Sequence, residues 1–269
     1  MGEGCKISPV AMFSILTYWN YRELIWNLTV ADLKIRYKNS ALGFLWSFMS
    51  PLLMSLVLIF VFMQVFKFSI SNYPLYILSG IIPWRFFGYT NNTMHSIKLY
   101  SSLIRKIYFP RQVLVFSACL SALISTSIEF VLLLFISIVL GGSITPWILL
   151  VPVFLAAQFF LVLGVSYVIA ALFVFYRDLQ HIWEVFLQAA FYAAPIIYPA
   201  TLIPQSSPYY VVLLVNPMSH FIIAYRHLFV YGDAPALGSI IGIAAFTAFA
   251  YMAGLLVFKR FEPRFAEEV

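Results

Sequence analysis

Apolar residues in this chain run in long unbroken blocks rather than in alternation. Six blocks stand out: Trp46–Phe66, Leu75–Ile97, Val113–Leu140, Trp147–Phe175, Ile182–Tyr198 and Leu237–Phe258. Continuous blocks of this length predict helices, because a half-buried strand would alternate polar and apolar positions. Each block lies near the ~20 residues a helix needs to cross a hydrocarbon layer. Inside lipid every backbone group must be paired within the segment, which a helix achieves unaided. The fifth block is short, and the second carries Arg85, Asn91, Asn92 and His95. The predicted fold class is all-α, a polytopic membrane protein with six transmembrane helices. A cytosolic amphipathic region (1–45) precedes the six-helix membrane domain (46–258), and a cytosolic tail (259–269) follows it. No internal repeat and no second domain are visible.

The segments between the blocks add detail. Ser8-Pro9 can start a helix with proline at its first position. Val10–Leu28 then mixes Phe13, Leu16, Trp19, Leu24 and Trp26 with Asn20, Arg22, Glu23 and Asn27. That mixture predicts an amphipathic helix lying in the membrane interface, against the alternative of a solvated basic tail. Thr29-Val30-Ala31-Asp32 resembles a capping box with Asp in place of Glu, predicting a helix restart through Leu33–Tyr37. The connection Pro199–Ala236 holds five prolines and two apolar pieces, Tyr209–Val215 and Phe221–Val230, each too short to cross. They predict a re-entrant external segment between the fifth and sixth helices.

Composition agrees with lipid as part of the solvent. Hydrophobic residues make up 63% and charged residues 10% of 269, against roughly 25% charged in soluble domains. The charges also orient the chain. Lys6, Arg22, Lys34, Arg36 and Lys38 precede the first block, and Lys98, Arg105, Lys106 and Arg111 separate the second from the third. Arg177 follows the fourth, and Lys259, Arg260 and Arg264 follow the sixth. Thirteen of sixteen basic residues thus fall on one side, with Lys67 and Arg226 on the other and Arg85 inside a block. The positive-inside rule puts both termini in the cytosol. The net charge of +6 is this topology signal, and scattered basic residues beside membrane spans argue against nucleic acid as a partner. Residues 1–12 include Glu3 and Pro9 without an apolar core, so no cleavable signal peptide is expected. Cys5 and Cys119 predict neither a disulfide nor a metal site.

Candidate chemistry is sparse. The chain contains no G-x-x-x-x-G-K-[ST] and no G-x-G-x-x-G sequence, and its four histidines lack ligand-like spacing. No catalytic residue, metal or cofactor is expected in this chain. Uphill movement of a cargo would draw on a partner or an ion gradient. Two ionisable residues fall deep in predicted helices. Glu129 lies sixteen residues past Val113 and Arg85 ten past Leu75, which puts both near mid-membrane at ~1.5 Å per residue. They predict a buried ion pair between consecutive helices. The link Ser102–Arg111 places Leu103, Ile104 and Ile107 beside Arg105 and Lys106, with Pro110 ending any helix. Such a segment suits docking into a groove of a cytosolic partner; positive-inside anchoring fits the charges equally.

Several segments together resemble the membrane subunit of an ABC-2 type polysaccharide exporter. They are Asp32 through Trp46 (DLKIRYKNSALGFLW), Pro51-Leu52, Gly80 through Phe87 (GIIPWRFF), Phe175 through Leu179 (FYRDL), Pro195 through Pro199 (PIIYP), Asn216 through Ser219 (NPMS) and Tyr225-Arg226. Arg85 departs from this pattern, standing where a small or polar residue is expected. The resemblance runs from about Ala31 to Phe258 and is more specific for the family than for the cargo. It implies a homodimer in the cytoplasmic membrane, bound to two ATP-binding cassette subunits that hold the ATP and magnesium. It implies a lipid-linked glycan cargo of O-antigen, capsule or teichoic-acid type. It implies a coupling helix in the second-to-third link, with Ile104, Arg105, Lys106, Tyr108, Phe109 and Arg111 as the contacting residues. It also implies a channel between the two copies, lined by the first and fifth spans, where Phe48, Phe60, Phe186, Phe191 and Tyr192 are candidates. Aromatic faces can guide sugars at little desolvation cost, although phenylalanine also serves as lipid-facing filler. The rival readings are an ABC-2 permease for a drug or lipid, and an intramembrane acyl- or glycosyltransferase.

Overall fold

Long apolar blocks became long helices in the computed structural model, which describes residues 15–38, 40, 43–65, 72–107, 109–142, 145–204 and 206–265. Among the described residues every regular element is helical. In chain order the helices are α1 (Ile15–Asn20), α2 (Arg22–Tyr37), α3 (Trp46–Phe60), α4 (Tyr73–Gly88), α5 (Thr90–Thr93), α6 (Ser96–Leu99), α7 (Ser101–Lys106), α8 (Gln112–Val139), α9 (Val151–Phe175), α10 (Leu179–Ala193), α11 (Pro208–Val215), α12 (Pro217–Arg226) and α13 (Leu237–Phe261). Among the described residues three stretches are long and apolar enough to cross a membrane: Gln112–Val139, Pro146–Phe175 and Leu237–Arg264. With family membership, established below, they make this a multi-pass membrane protein.

The remaining predicted spans are shorter or broken for local reasons. Helix α3 continues into a wider π turn at Val61–Val65. Helix α4 starts after Asn72, whose φ is 51°, a left-handed conformation that asparagine tolerates. It then ends at Gly88, well before Ile97. There Thr90 donates its hydroxyl to the Phe87 carbonyl at 2.8 Å and Thr93 donates to that of Thr90 at 3.0 Å. Such side-chain bonds compete with the helical ladder, and the chain proceeds as two single turns, α5 and α6. Helix α10, at 15 residues, is roughly 22 Å long.

The N-terminal region corrects one expectation. Helix α2 runs without a break through Thr29, and no cap forms there. The Thr29 hydroxyl donates back to the Ile25 carbonyl at 2.7 Å and reaches the Ser117 carbonyl of α8 at 3.3 Å. Buried against a neighbouring helix, the hydroxyl cannot serve a free N–H. The chain breaks instead at Tyr21. Helix α2 packs across the start of α8, burying Ile25 and Leu28 against Phe109, Val113 and Leu114, while Trp19 and Trp26 stay exposed. The proposed helix start at Ser8-Pro9 lies outside the described residues.

The main core joins α4, α8, α9, α12 and α13. Helices α9 and α13 share the most extensive contact among the described elements. They cross at two glycines: a Cβ on Gly254 would run into the Gly164 carbonyl, and one on Gly164 into the Ala250 carbonyl. Only glycine at both positions lets the backbones approach this closely. The connection between α10 and α13 is structured too. Ser207 and Asn216 cap α11 and α12 by accepting from the backbone N–H groups of Tyr209 and Met218. Met218, Phe221, Ile222 and Tyr225 of α12 are fully buried, and α12 lies against α4 and α13.

Candidate functional site

A groove of about 640 Å³ opens between α3, α4 and α10. Ser50 and Met54 line it from α3. Ile81, Trp84, Arg85 and Gly88 line it from α4, with Tyr89 and Asn92 from the broken turn beyond, and Leu187, Gln188, Phe191 and Tyr192 from α10. Rings dominate its wall. Trp84 meets Phe191 edge-on at 5.8 Å between centroids, and Phe191 meets Tyr192 at 5.4 Å. Trp183 donates its indole N–H to Thr90 Oγ1 at 2.9 Å, and Asn91 donates to Glu184 Oε1 at 3.4 Å. The helix break in α4–α6 therefore supplies the polar groups that moor α10. Nothing on α10 is fully buried, and on its outward side Ile182, Val185, Phe186 and Tyr192 are exposed. Across the groove α3 likewise exposes Leu53, Leu56, Val57 and Phe60.

Of the five aromatics expected to line a passage, Phe191 and Tyr192 border the groove, Tyr192 being 70% exposed. Phe186 stacks on Trp183 at 4.8 Å with its outer face open. Phe60 is 66% exposed but stands apart from the groove lining. The side chain of Phe48 lies outside the described residues. Sequence reasoning missed Trp84, Tyr89, Asn92 and Gln188. The signal for them is the motif around Trp84 and the polar run from Tyr89 to Asn92 inside an otherwise apolar block.

The expected ion pair is present. Arg85 Nη2 stands 3.6 Å from Glu129 Oε1, with the Glu129 side chain fully buried and that of Arg85, which lines the groove, 25% exposed. Arg36 of α2 lies nearby, stacking over the Tyr89 ring at 4.6 Å and donating to Ser125 Oγ, one turn before Glu129, at 3.4 Å. Burial lifts the Asp32 carboxyl above its usual range, with a hydrogen bond from the Tyr100 hydroxyl and the charge of Arg36 pulling the other way. This second cleft, of about 240 Å³, shares Tyr89 and Asn92 with the groove.

The second-to-third link forms the short helix α7. Arg105, Lys106 and Ile107 point outward and Ile104 is half-buried. Phe109 is buried under α2, and Arg111 turns inward. The Arg111 backbone N–H donates to Glu262 Oε1 at 3.0 Å, and its guanidinium donates to the Glu262 carbonyl. The link is thereby clasped to the end of α13. Tyr108 lies outside the described residues.

A polar cluster not foreseen ties α4 and α12 to the chain just after α10. Arg226 of α12 is buried, donates to the Ile196 carbonyl at 2.6 Å and lies 3.5 Å over the Tyr76 ring. Tyr73 and Tyr76 donate to the Ile197 and Tyr198 carbonyls. Gln158 of α9 donates to the Pro83 carbonyl at 2.7 Å and accepts from the Tyr225 hydroxyl at 3.1 Å. The spacing of Tyr73 and Tyr76, one helical turn apart, was the available clue.

Residues 23–230 match the family described as ABC-2 type transporter. Among curated proteins, the chain is similar to the O-antigen export system permease protein RfbA of Myxococcus xanthus, with 32% identity over 256 residues, 93% of this chain and 97% of the relative. It is similar to the protein of the same name from Klebsiella pneumoniae, with 31% identity over 253 residues, 91% of this chain and 94% of the relative. It is also similar to the polysialic acid transport protein KpsM of Escherichia coli, with 23% identity over 238 residues, 86% of this chain and 91% of the relative.

Proposed function

This chain belongs to the ABC-2 type transporter family, and from that premise we propose that it is the permease subunit of an ATP-driven exporter of a lipid-linked polysaccharide. Membership implies partnership with ATP-binding subunits, and the relatives are transport permeases rather than enzymes. The finer picture is the following. Two copies of the chain sit in the cytoplasmic membrane with both termini in the cytosol. Each has six spans, the shorter ones being α3 with its π turn, α4–α6 and α10, and an α11–α12 pair that re-enters from outside.

One observation carries the reading: an aromatic-walled groove flanked by apolar faces of α3 and α10 that no other described residue of the chain covers. A polymer longer than the membrane is thick cannot be enclosed and flipped as a unit, so it needs a continuous path. Two such grooves facing each other would supply one. Rings give sugars broad, weakly adhesive faces, while Asn92 and Gln188 offer both donors and acceptors. ATP-binding subunits would dock at α7, where Arg105 and Lys106 form the outer surface with Ile104 half-buried beside them. Phe109 and Arg111 would instead pass movement inward, to α2 and to the end of α13.

The test is reconstitution of the chain with its ATP-binding subunits in vesicles containing a lipid-linked glycan. ATP-dependent delivery of full-length glycan to the far side is expected. Transport of small amphiphiles without polymer would refute the proposal and favour a drug or lipid permease.

A further inference from the structure

Among the described residues lining the groove, Arg85 is the one charged side chain. Its pairing with Glu129 is open rather than closed. The 3.6 Å separation exceeds the ~2.7–2.9 Å of a charge-assisted hydrogen bond. Neither carboxylate oxygen of Glu129 accepts a hydrogen bond among the described residues. A pair that served only to neutralise two charges in an apolar interior would be expected to close into a short, bidentate contact, because geometry must offset desolvation. Here the carboxylate is sealed inside while a quarter of the Arg85 side chain stays exposed, and that side chain lines the groove. Glu184, on the adjacent turn of α10, is held by Asn91 and Gln180 and does not line the groove.

Rings and amides suit any sugar. A guanidinium adds a fixed positive charge and a planar donor fork, which match an anionic oxygen pair far better than a hydroxyl. We propose that Arg85 makes this groove selective for glycans whose repeating units carry acidic groups, and that Glu129 behind it moderates the grip. The inference rests on the polysaccharide reading of the groove. Each acidic unit would exchange into contact with the guanidinium and out again, as conduction demands of any site along a path. Without Glu129 the same cation would hold an anion too long.

The experiment uses the complex of this chain with its ATP-binding subunits in lipid nanodiscs. Two glycans of equal length are carried on the same polyprenyl pyrophosphate. One has a uronic acid in each repeat, and the other is its carboxyl-reduced, neutral counterpart. Because the carrier phosphates are common to both, a difference reports the repeat alone. The acidic glycan should bind about tenfold more tightly at low salt, with the ratio shrinking as ionic strength rises. In the paired variant Arg85→Gln with Glu129→Gln, which strands neither charge, the ratio should fall close to one. Arg85→Lys should retain part of it, since charge remains but the fork is lost. Equal binding of both glycans by the unaltered complex would overturn the proposal, as would a ratio that survives in the paired variant. Transport in vesicles separates the two claims. Selective binding without export of either glycan would refute the exporter reading and leave the assignment of Arg85 standing. Export of both glycans with equal binding would do the reverse.

Discussion

Replacing Arg85 by glutamine should damage the fold more than replacing Glu129, and replacing both should do least harm. The asymmetry follows from exposure. Glu129 is fully enclosed, whereas Arg85 reaches the groove. Removing the arginine strands a buried carboxylate, a class of change that costs ~3–5 kcal/mol. Removing the carboxylate takes a counter-ion from a cation whose side chain already reaches the groove, for which ~1–2 kcal/mol is expected because desolvation is only partial there. The pair's mutual attraction at 3.6 Å is about 4–5 kcal/mol with an effective dielectric near 20, and the exposed side of the arginine lowers it further. A coupling energy of about 3–4 kcal/mol is therefore expected from a double-mutant cycle on unfolding in detergent or nanodiscs. Arg36, bonded to Ser125 one turn from Glu129, softens the Arg85→Gln variant, and adding Arg36→Gln should restore the full penalty. Additivity of the two single changes to within ~0.5 kcal/mol, or a Glu129→Gln variant weaker than Arg85→Gln, would refute the reasoning.

Gly254→Ala should lower the melting temperature markedly, because its methyl group would meet the Gly164 carbonyl; overpacking of this kind costs ~1–3 kcal/mol or more, whereas Gly238→Ala, which meets nothing within 4 Å, should be neutral in the same thermal assay. Arg105→Glu with Lys106→Glu should weaken binding of the ATP-binding subunits while leaving membrane insertion intact, as read by co-purification and by membrane fractionation. Replacing Phe191 and Tyr192 by leucine should reduce glycan export in a graded way without stopping ATP hydrolysis, since ring contacts are individually worth ~0.5–1.5 kcal/mol. A cysteine at Ser206 should be labelled from outside and one at Lys106 only from within, in a background lacking Cys5 and Cys119.

The long helices α8, α9 and α13 were legible in the sequence because an apolar run without charge has only one way to satisfy its backbone in lipid. Depth along a helix was legible too, which is why Arg85 and Glu129 could be paired before their geometry was known. Rotation about a helix axis was not. Helix α4 is apolar nearly all round, so its sequence gives no sign that Trp84 and Arg85 face α10 while Phe86 faces the core. The groove is built from three segments far apart in the chain, and its lining is fixed by packing rather than by any local pattern. Thr29 misled for a related reason: its spacing to Asp32 fits a cap, but burial against Ser117 decided how the hydroxyl was used.

The glycine crossing of α9 and α13 divides the molecule into a stiff part and a pliant one. Backbones in direct contact leave no side-chain layer to slide, so these two helices can shift only together, as a keel. The clasp from Arg111 to Glu262 fastens the link containing α7 to that keel. Helix α10, by contrast, has no fully buried residue and is moored chiefly through Trp183 and Glu184. A push arriving at that link would then turn the keel as one piece and change the groove's width at its α10 wall. A passage that must admit bulky repeats and still hold back ions between them gains from having its give on one side only.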